Sequence, residues 1–199
     1  MSQPTPLALI TLLGVVLCWI FFAVIFLLRK RPPKPPEAKR DRFSSLGIGL
    51  QMVAYFLVWF QPPHRPFLPR VEALSGIPGI VLSVLTVTLA AGSGWLLEAA
   101  VRTLGKQWAL QARLVEGHQL ITAGPYAHVR NPIYTGMLGM LVATGIAMEH
   151  WLALVFAVII FVAGMMVRIR AEEKLLRAEF GVEFEDYTKR VPAVLPRVF

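Results

Sequence analysis

The sequence predicts an all-α, polytopic membrane protein with about five transmembrane helices and a polar C-terminal region. The chain of 199 residues is 56% apolar and 16% charged, whereas a soluble domain has about 25% charged residues. Its apolar residues form five long runs, and about 18 such residues cross a hydrocarbon core roughly 30 Å thick. The spans must be helical because lipid offers no partner to an exposed backbone N–H or C=O group.

The first half of the chain holds three of these runs. Leu7–Leu28 is the first, and it is too long for the apolar core of a cleaved secretory signal. The basic loop 29–42 follows, and its prolines exclude a regular helix. Phe43–Phe60 is the second run. Leu74–Val101 is the third, and Gly92-Ser-Gly94 within it allows a kink or a short break.

The last two runs are predicted to form a tight helical hairpin. Pro132 fits the first turn of a helix, where its missing N–H costs little. Ile133–Met148 and Trp151–Val167 then follow with only two residues between them. The second helix is expected to continue beyond the membrane to about Phe180, where Gly181 is a suitable C-cap.

Lysine and arginine residues are distributed unevenly between the two ends of these helices. Seven lie in loop 29–42, four in the polar segment 102–131 and seven in the tail 168–199, against two after the second run. Basic residues concentrate on the cytoplasmic side of membrane proteins. We therefore predict an integral protein of a bacterial or archaeal inner membrane, with the N-terminus outside and the C-terminus cytoplasmic. The same count accounts for the net charge of +8 without nucleic acid as a partner.

Two polar segments on this predicted cytoplasmic face carry residue types that a reactive site needs. Residues 117–136 combine Gly, His, Tyr, Arg and Asn before a helix start. Free N–H groups there, together with Arg130, suit an anion. The start of the tail places Arg168 and Glu172 on one helix face, with Glu173 beside them. An interfacial linker and a solvated ion pair remain alternative interpretations of the two segments.

Several function classes are excluded by what the chain contains. Cys18 is the single cysteine, so neither an intrachain disulfide nor a Cys-based metal site can form, and we predict no metal. Gly47-Ile-Gly49 and Gly92-Ser-Gly94 lie in apolar helices without a preceding strand, which argues against a soluble-type nucleotide fold. Transporters keep ionisable groups near the midplane, but the spans hold few polar groups besides Gln51 and Glu98.

The second half of the chain contains three motifs. They are Gly124-Pro-Tyr-x-x-x-Arg-Asn-Pro-x-Tyr-x-Gly136, Arg168-x-x-x-Glu-Glu173 and Phe180-Gly-x-x-Phe-x-x-Tyr187. In combination they resemble the isoprenylcysteine carboxyl methyltransferase and phospholipid methyltransferase group, and the tail from Arg190 to Pro196 resembles that family's ending. The resemblance covers about residues 105–199.

This resemblance implies a membrane methyltransferase with a cytoplasmic helical pocket that uses S-adenosylmethionine and releases S-adenosylhomocysteine. The acceptor is then a lipid or prenyl-like molecule from the bilayer, with either an isoprenylcysteine-type carboxylate or a phospholipid-type amine. It also divides the chain into N-terminal membrane helices (1–101) and a catalytic region (102–199), with residues 117–136 as the cofactor loop.

The resemblance further implies a set of site residues. The catalytic ones are Arg168, Glu172 and Glu173, near the cofactor and the acceptor. The cofactor-binding ones are His118, Leu120, Thr122, Gly124, Tyr126, Arg130, Asn131, Pro132, Tyr134 and Glu172. Eukaryotic prenylcysteine enzymes typically carry His at the position of Asn131, whereas bacterial relatives often carry Asn.

The chemistry of the residues leaves the acceptor open. A carboxylate acceptor needs a cation, for which Arg168 or Arg170 is available. An amine acceptor must lose a proton, for which Glu172 or Glu173 could serve. The alternative function is a non-enzymatic polytopic protein, such as a small transporter, an assembly factor or an anionic-lipid-binding scaffold that uses loop 29–42.

Overall fold

The structure is a computed structural model that describes residues 6–28, 37–40, 44–60, 76–108, 113–115 and 119–194. These residues form six helices and one two-stranded ribbon. The elements are α1 (Pro6–Leu28), β1 (Glu37–Arg40), α2 (Ser44–Trp59), α3 (Gly76–Leu104), β2 (Arg113–Val115), α4 (Pro132–Ala147), α5 (Trp151–Phe180) and α6 (Val182–Arg190).

Helices α1 to α5 begin and end within about three residues of the predicted runs, counting the expected extension of the last one to about Phe180, so the helical membrane architecture is confirmed. Within the described ranges, α1, α3 and α5 are long and apolar enough to cross a membrane. Helices α2 and α4 have 16 residues each, which is about 24 Å at 1.5 Å per residue and short of a 30 Å core. The count of five spans therefore stays a prediction.

The two shorter helices pack between the longer ones. Helix α2 lies mainly against α5, and α4 lies against α3 as well as α5. The core between α2, α4 and α5 is built around the buried side chains of Val58, Leu141 and Phe161. A second core joins α1, α3 and α4 through small and medium apolar residues such as Val15 and Ala143. This packing fixes the start of α4 beside the C-terminal half of α5, where the polar residues gather.

Helix α3 continues without interruption through Gly92-Ser-Gly94, so the short break that the sequence allowed is absent. The small residues serve helix packing instead. A Cβ atom placed on Gly136 of α4 would lie 2.9 Å from the carbonyl oxygen of Ser93, and one placed on Gly94 would lie 3.5 Å from the ring of Phe21. Small residues let membrane helices approach closely: Gly136 lets α4 approach α3 at Ser93, and Gly94 makes room for Phe21 of α1.

Two features lie outside the predicted helices. Strand β1, in the proline-rich loop, pairs antiparallel with β2, with Lys39 opposite Leu114 and a bulge between Glu37 and Lys39. This pairing brings residues 37–40 of the predicted basic loop beside residues 113–115 of the predicted polar segment. Helix α6 follows Gly181, whose φ of 49° ends α5 as predicted for a C-cap glycine.

The crossing of α2 and α5 yields a prediction about stability. A Cβ atom on Gly47 would lie 2.6 Å from the carbonyl oxygen of Gly164 and would also meet the stem of Arg168. We expect Gly47→Ala to lower the free energy of unfolding by about 1–3 kcal/mol, because the helices must move apart. Gly49→Ala is the matched control, since a Cβ there meets nothing within 4 Å. Equal thermal unfolding temperatures in detergent for the two variants would contradict this packing.

Candidate active site

A polar cluster joins the first turn of α4 to the C-terminal half of α5. The hydroxyl of Tyr134 donates a hydrogen bond to Glu172. Arg168 lies one turn before Glu172, with 3.8 Å between Nη2 and Oε1. Its guanidinium carbon lies 4.8 Å from the centre of the Tyr134 ring, within the range of a cation–π contact. Arg168 and Tyr134 are buried, whereas the Glu172 side chain is 28% exposed, so Glu172 is the most exposed side chain of the cluster.

Helix α2 contributes a third contact to this cluster. The Nη1 of Arg168 donates a hydrogen bond of 3.0 Å to Oε1 of Gln51, and Gln51 is 2% exposed. Arg170, two residues further on α5, is exposed. The structure therefore places Arg168, and not Arg170, in the cluster.

A second cluster surrounds Arg130, at the end of the loop before α4. Its Nε and Nη2 donate hydrogen bonds of 3.0 and 2.9 Å to Glu173 Oε1. Its Nη1 donates to the carbonyl oxygens of Thr188, at 3.2 Å, and Val191. The side chains of Arg130 and Glu173 are 12% and 16% exposed. The sequence predicted an anion at Arg130, and in the structure the protein's own Glu173 carboxylate binds there.

The C-terminal tail crosses the start of α4. The backbone N–H of Arg130 donates to the carbonyl oxygen of Pro192 at 2.9 Å. Asn131 donates to the carbonyl oxygen of Ala193 from both its backbone N and its side-chain Nδ2, at 3.0 Å each. The hydroxyl of Thr135 donates to the carbonyl oxygen of Val194 at 2.9 Å. The tail motif thus supplies backbone acceptors to the loop and to the first turn of α4.

Helix α6 closes the site from the other side. The Tyr187 hydroxyl donates a hydrogen bond of 2.6 Å to the carbonyl oxygen of Tyr126, which lies in a 3₁₀ turn at Gly124–Ala127. Burial raises the pKa of Tyr187 to about 12, so the hydroxyl remains a neutral donor at physiological pH. Leu120 packs against the buried cluster of Phe184 and Tyr187. These contacts attach the predicted cofactor loop to α6.

Most of the predicted site residues therefore occupy adjacent clusters. Glu172 and Glu173 connect the first two, and Tyr187 lies close enough to Arg130 for that charge to affect its pKa. Pro132 is buried at the first position of α4. Gly124 has a φ of 60° and its Cα faces Thr103, and Thr122 is exposed. His118 lies outside the described residues.

Sequence reasoning missed two contributions to the site. Gln51 is recognisable in the sequence as a polar residue within a span, but neither its distance along the chain from Arg168 nor its sequence neighbours connect the two residues. The acceptors for Arg130 in α6 and in the tail after it are backbone carbonyls, which every residue has and no sequence pattern marks.

Residues 84–178 match the model of the isoprenylcysteine carboxyl methyltransferase (ICMT) family. This segment contains α4, most of α5 and the Tyr134, Arg168, Glu172 and Glu173 positions. This segment, just under half of the chain, is similar to the ICMT family. The resemblance drawn from the motifs is confirmed for this family. The ICMT-family segment excludes α1, α2 and α6.

Three relatives illustrate the range of proteins that the chain is similar to. It is 33% identical over 143 residues to the nickel-cobalt-cadmium resistance protein NccN of Alcaligenes xylosoxydans xylosoxydans, covering 62% of this chain and 64% of that protein. It is 33% identical over 106 residues to protein-S-isoprenylcysteine O-methyltransferase B of Arabidopsis thaliana, covering 52% and 53%. It is 34% identical over 85 residues to methanethiol S-methyltransferase 2 of Bradyrhizobium diazoefficiens, covering 43% and 32%.

The chain spans less than two thirds of the length of each of these curated relatives. Two of the three are named as methyltransferases, and the acceptors in their names differ: one is isoprenylcysteine and the other is methanethiol.

Proposed function

We propose that this protein is a membrane methyltransferase that transfers a methyl group from S-adenosylmethionine to a lipid or lipid-like acceptor at the cytoplasmic membrane face. The observation that carries the proposal is the Tyr134–Glu172–Arg168 cluster, because it holds one partly exposed glutamate side chain beside a buried arginine and tyrosine, within the ICMT-family segment. The names of the relatives support the reaction class.

The residues of the cluster suit S-adenosylmethionine, which supplies an electrophilic methyl group on a positively charged sulfonium. A carboxylate attracts such a cation, and an aromatic ring offers it a favourable face. Glu172 provides the carboxylate and Tyr134 orients it by hydrogen bonding. Leu120, Tyr126 and the loop between them, held by α6, would then bind the adenosine part.

In this proposal Arg130 and Glu173 have a structural role and do not contact the reacting groups. Their side chains are bonded to one another and Arg130 also binds carbonyls of α6 and the tail. They hold the loop, α5 and the tail in fixed relative positions. Methyl transfer is an in-line displacement, so the positioning of the two reactants can supply most of the rate enhancement.

A groove between α3 and α4 supports a lipid-like acceptor. Its volume is about 550 Å³, and it is lined almost entirely by apolar groups, among them Leu89, Leu96 and Leu138. One end of the groove reaches Thr135, the residue after Tyr134. A hydrocarbon chain lying in the groove would bring its polar head to the start of α4, beside the cluster.

Binding and transfer can be tested with purified protein in detergent. We expect calorimetry to detect S-adenosylmethionine binding, and we expect membranes containing the protein to transfer labelled methyl groups into a lipid extract of the source organism. Mass analysis of the labelled product distinguishes a carboxylate, an amine and a thiol acceptor. Absence of any S-adenosylmethionine binding by folded protein would overturn the proposal and favour a non-enzymatic membrane protein.

A further inference from the structure

We infer that Gln51 of α2 is a positioning residue that sets the orientation of the Arg168 guanidinium in the candidate active site. The inference rests on the proposed methyltransferase function and extends the site to a helix outside the ICMT-family segment. Its basis is the hydrogen bond of 3.0 Å from Arg168 Nη1 to Gln51 Oε1 between two buried side chains.

Two glycines at the crossing of α2 and α5 allow this contact. Gly47 lies one helical turn before Gln51, and Gly164 lies one turn before Arg168. A Cβ atom on Gly164 would lie 2.8 Å from the carbonyl oxygen of Gly47, and one on Gly47 would meet the Arg168 stem. Because neither residue has a Cβ, the helices approach closely enough for a glutamine to reach the arginine.

The second half of the Gln51 amide points to a role beyond stability. Its Nε2 is buried and has no hydrogen-bond partner among the described residues. An unsatisfied buried donor costs free energy, and a similarly shaped apolar side chain would avoid that cost. Stability of the fold alone therefore does not account for an amide here. The hydrogen bond from Arg168 to Gln51 Oε1 accounts for the amide.

The hydrogen bond from Arg168 to Gln51 matters because Glu172 competes for the same guanidinium. Arg168 and Glu172 are four residues apart on one helix face, where such pairs readily form close ion pairs. Their charged atoms are nevertheless 3.8 Å apart, while Gln51 holds Nη1 and the guanidinium lies over the Tyr134 ring. Gln51 thereby keeps the Glu172 carboxylate hydrogen-bonded to Tyr134 and open to the site.

The test replaces Gln51 with methionine, which has a similar volume but no oxygen acceptor. We expect kcat for methyl transfer to fall about 10- to 100-fold, the rate equivalent of one hydrogen bond to a charged group. The KM for S-adenosylmethionine should change by less than about three-fold, because loop and tail contacts are left in place. Gln51→Glu, which keeps an oxygen acceptor at the same reach, should restore most of the rate.

Tyr55→Phe is the matched control on the same helix. It removes a hydrogen bond of 2.7 Å from the Tyr55 hydroxyl to the carbonyl oxygen of Met137, away from Arg168, and should leave kcat unchanged. A merely structural role for Gln51 predicts that Met serves as well as Glu. Equal rates for Gln51→Met and Gln51→Glu would overturn the inference, and so would equal rates for Gln51→Met and Tyr55→Phe.

A second measurement applies if Gln51→Glu does not accumulate in the membrane. In an Arg168→Lys background, Gln51→Met should cause little further loss, because Gln51 acts through Arg168. Full additivity of the two losses would overturn the inference. Failure of the proposed function looks different, since wild-type protein would then neither bind S-adenosylmethionine nor transfer methyl groups.

Discussion

Glu172→Gln is expected to lower kcat/KM for methyl transfer by about 100- to 1,000-fold, whether the carboxylate serves as a base or as an electrostatic partner of the cofactor. The substitution keeps the size of the side chain and leaves an oxygen to accept from Tyr134. It removes only the charge. Because the Glu172 side chain is the acidic group and the most exposed side chain of the cluster, no neighbouring carboxylate in the cluster replaces it.

Two further measurements separate the possible roles of Glu172. If its charge binds the sulfonium, Glu172→Gln should weaken S-adenosylmethionine binding about ten-fold more than binding of the product S-adenosylhomocysteine, whose sulfur carries no charge. If it is a base, both affinities should change little while kcat loses its acidic limb in a pH profile. Glu183→Gln, at an exposed position of α6, is the control. Retention of more than half of the wild-type rate by Glu172→Gln would contradict a role in the reaction.

Arg130→Met is expected to lower the free energy of unfolding by about 3–5 kcal/mol, the usual loss when one member of a buried ion pair is removed. The largely buried Glu173 carboxylate then loses its partner, and the carbonyl oxygens of Thr188 and Val191 lose a donor. We also expect S-adenosylmethionine binding to be lost, because the loop before α4 is no longer attached to α5 and the tail. Thermal unfolding in detergent and calorimetry measure the two effects.

A nearby ion pair offers a matched control for Arg130. Arg177 of α5 pairs with Glu185 of α6 at 2.5 Å, but the two side chains are 49% and 44% exposed. Arg177→Met should therefore cost at most about 1 kcal/mol, as is usual for exposed pairs. Glu173→Ala should resemble Arg130→Met in its loss of binding. Equal unfolding temperatures for Arg130→Met and Arg177→Met would show that the buried pair does not hold the site together.

Much of the candidate site was visible in the sequence because its residues lie on short local patterns. Arg168 and Glu172 share a helix face by their spacing, and Pro132 marks the start of α4. The pairs that the structure adds are distant in sequence. Arg130 and Glu173 are 43 residues apart, and Gln51 and Arg168 are 117 apart. Nothing local specifies such partners, since each side chain has several chemically suitable ones along the chain.

The sequence by itself determined the membrane helices of this protein, because the length and apolarity of a run are properties of consecutive residues, and lipid forces such a run to be helical. It also carried the motifs of the ICMT family. Only the tertiary structure decided that Arg168, and not Arg170, enters the cluster, that Arg130 binds Glu173, and that the tail supplies backbone acceptors. These choices depend on which helix faces meet, and that is set by close contacts such as Gly47 on Gly164.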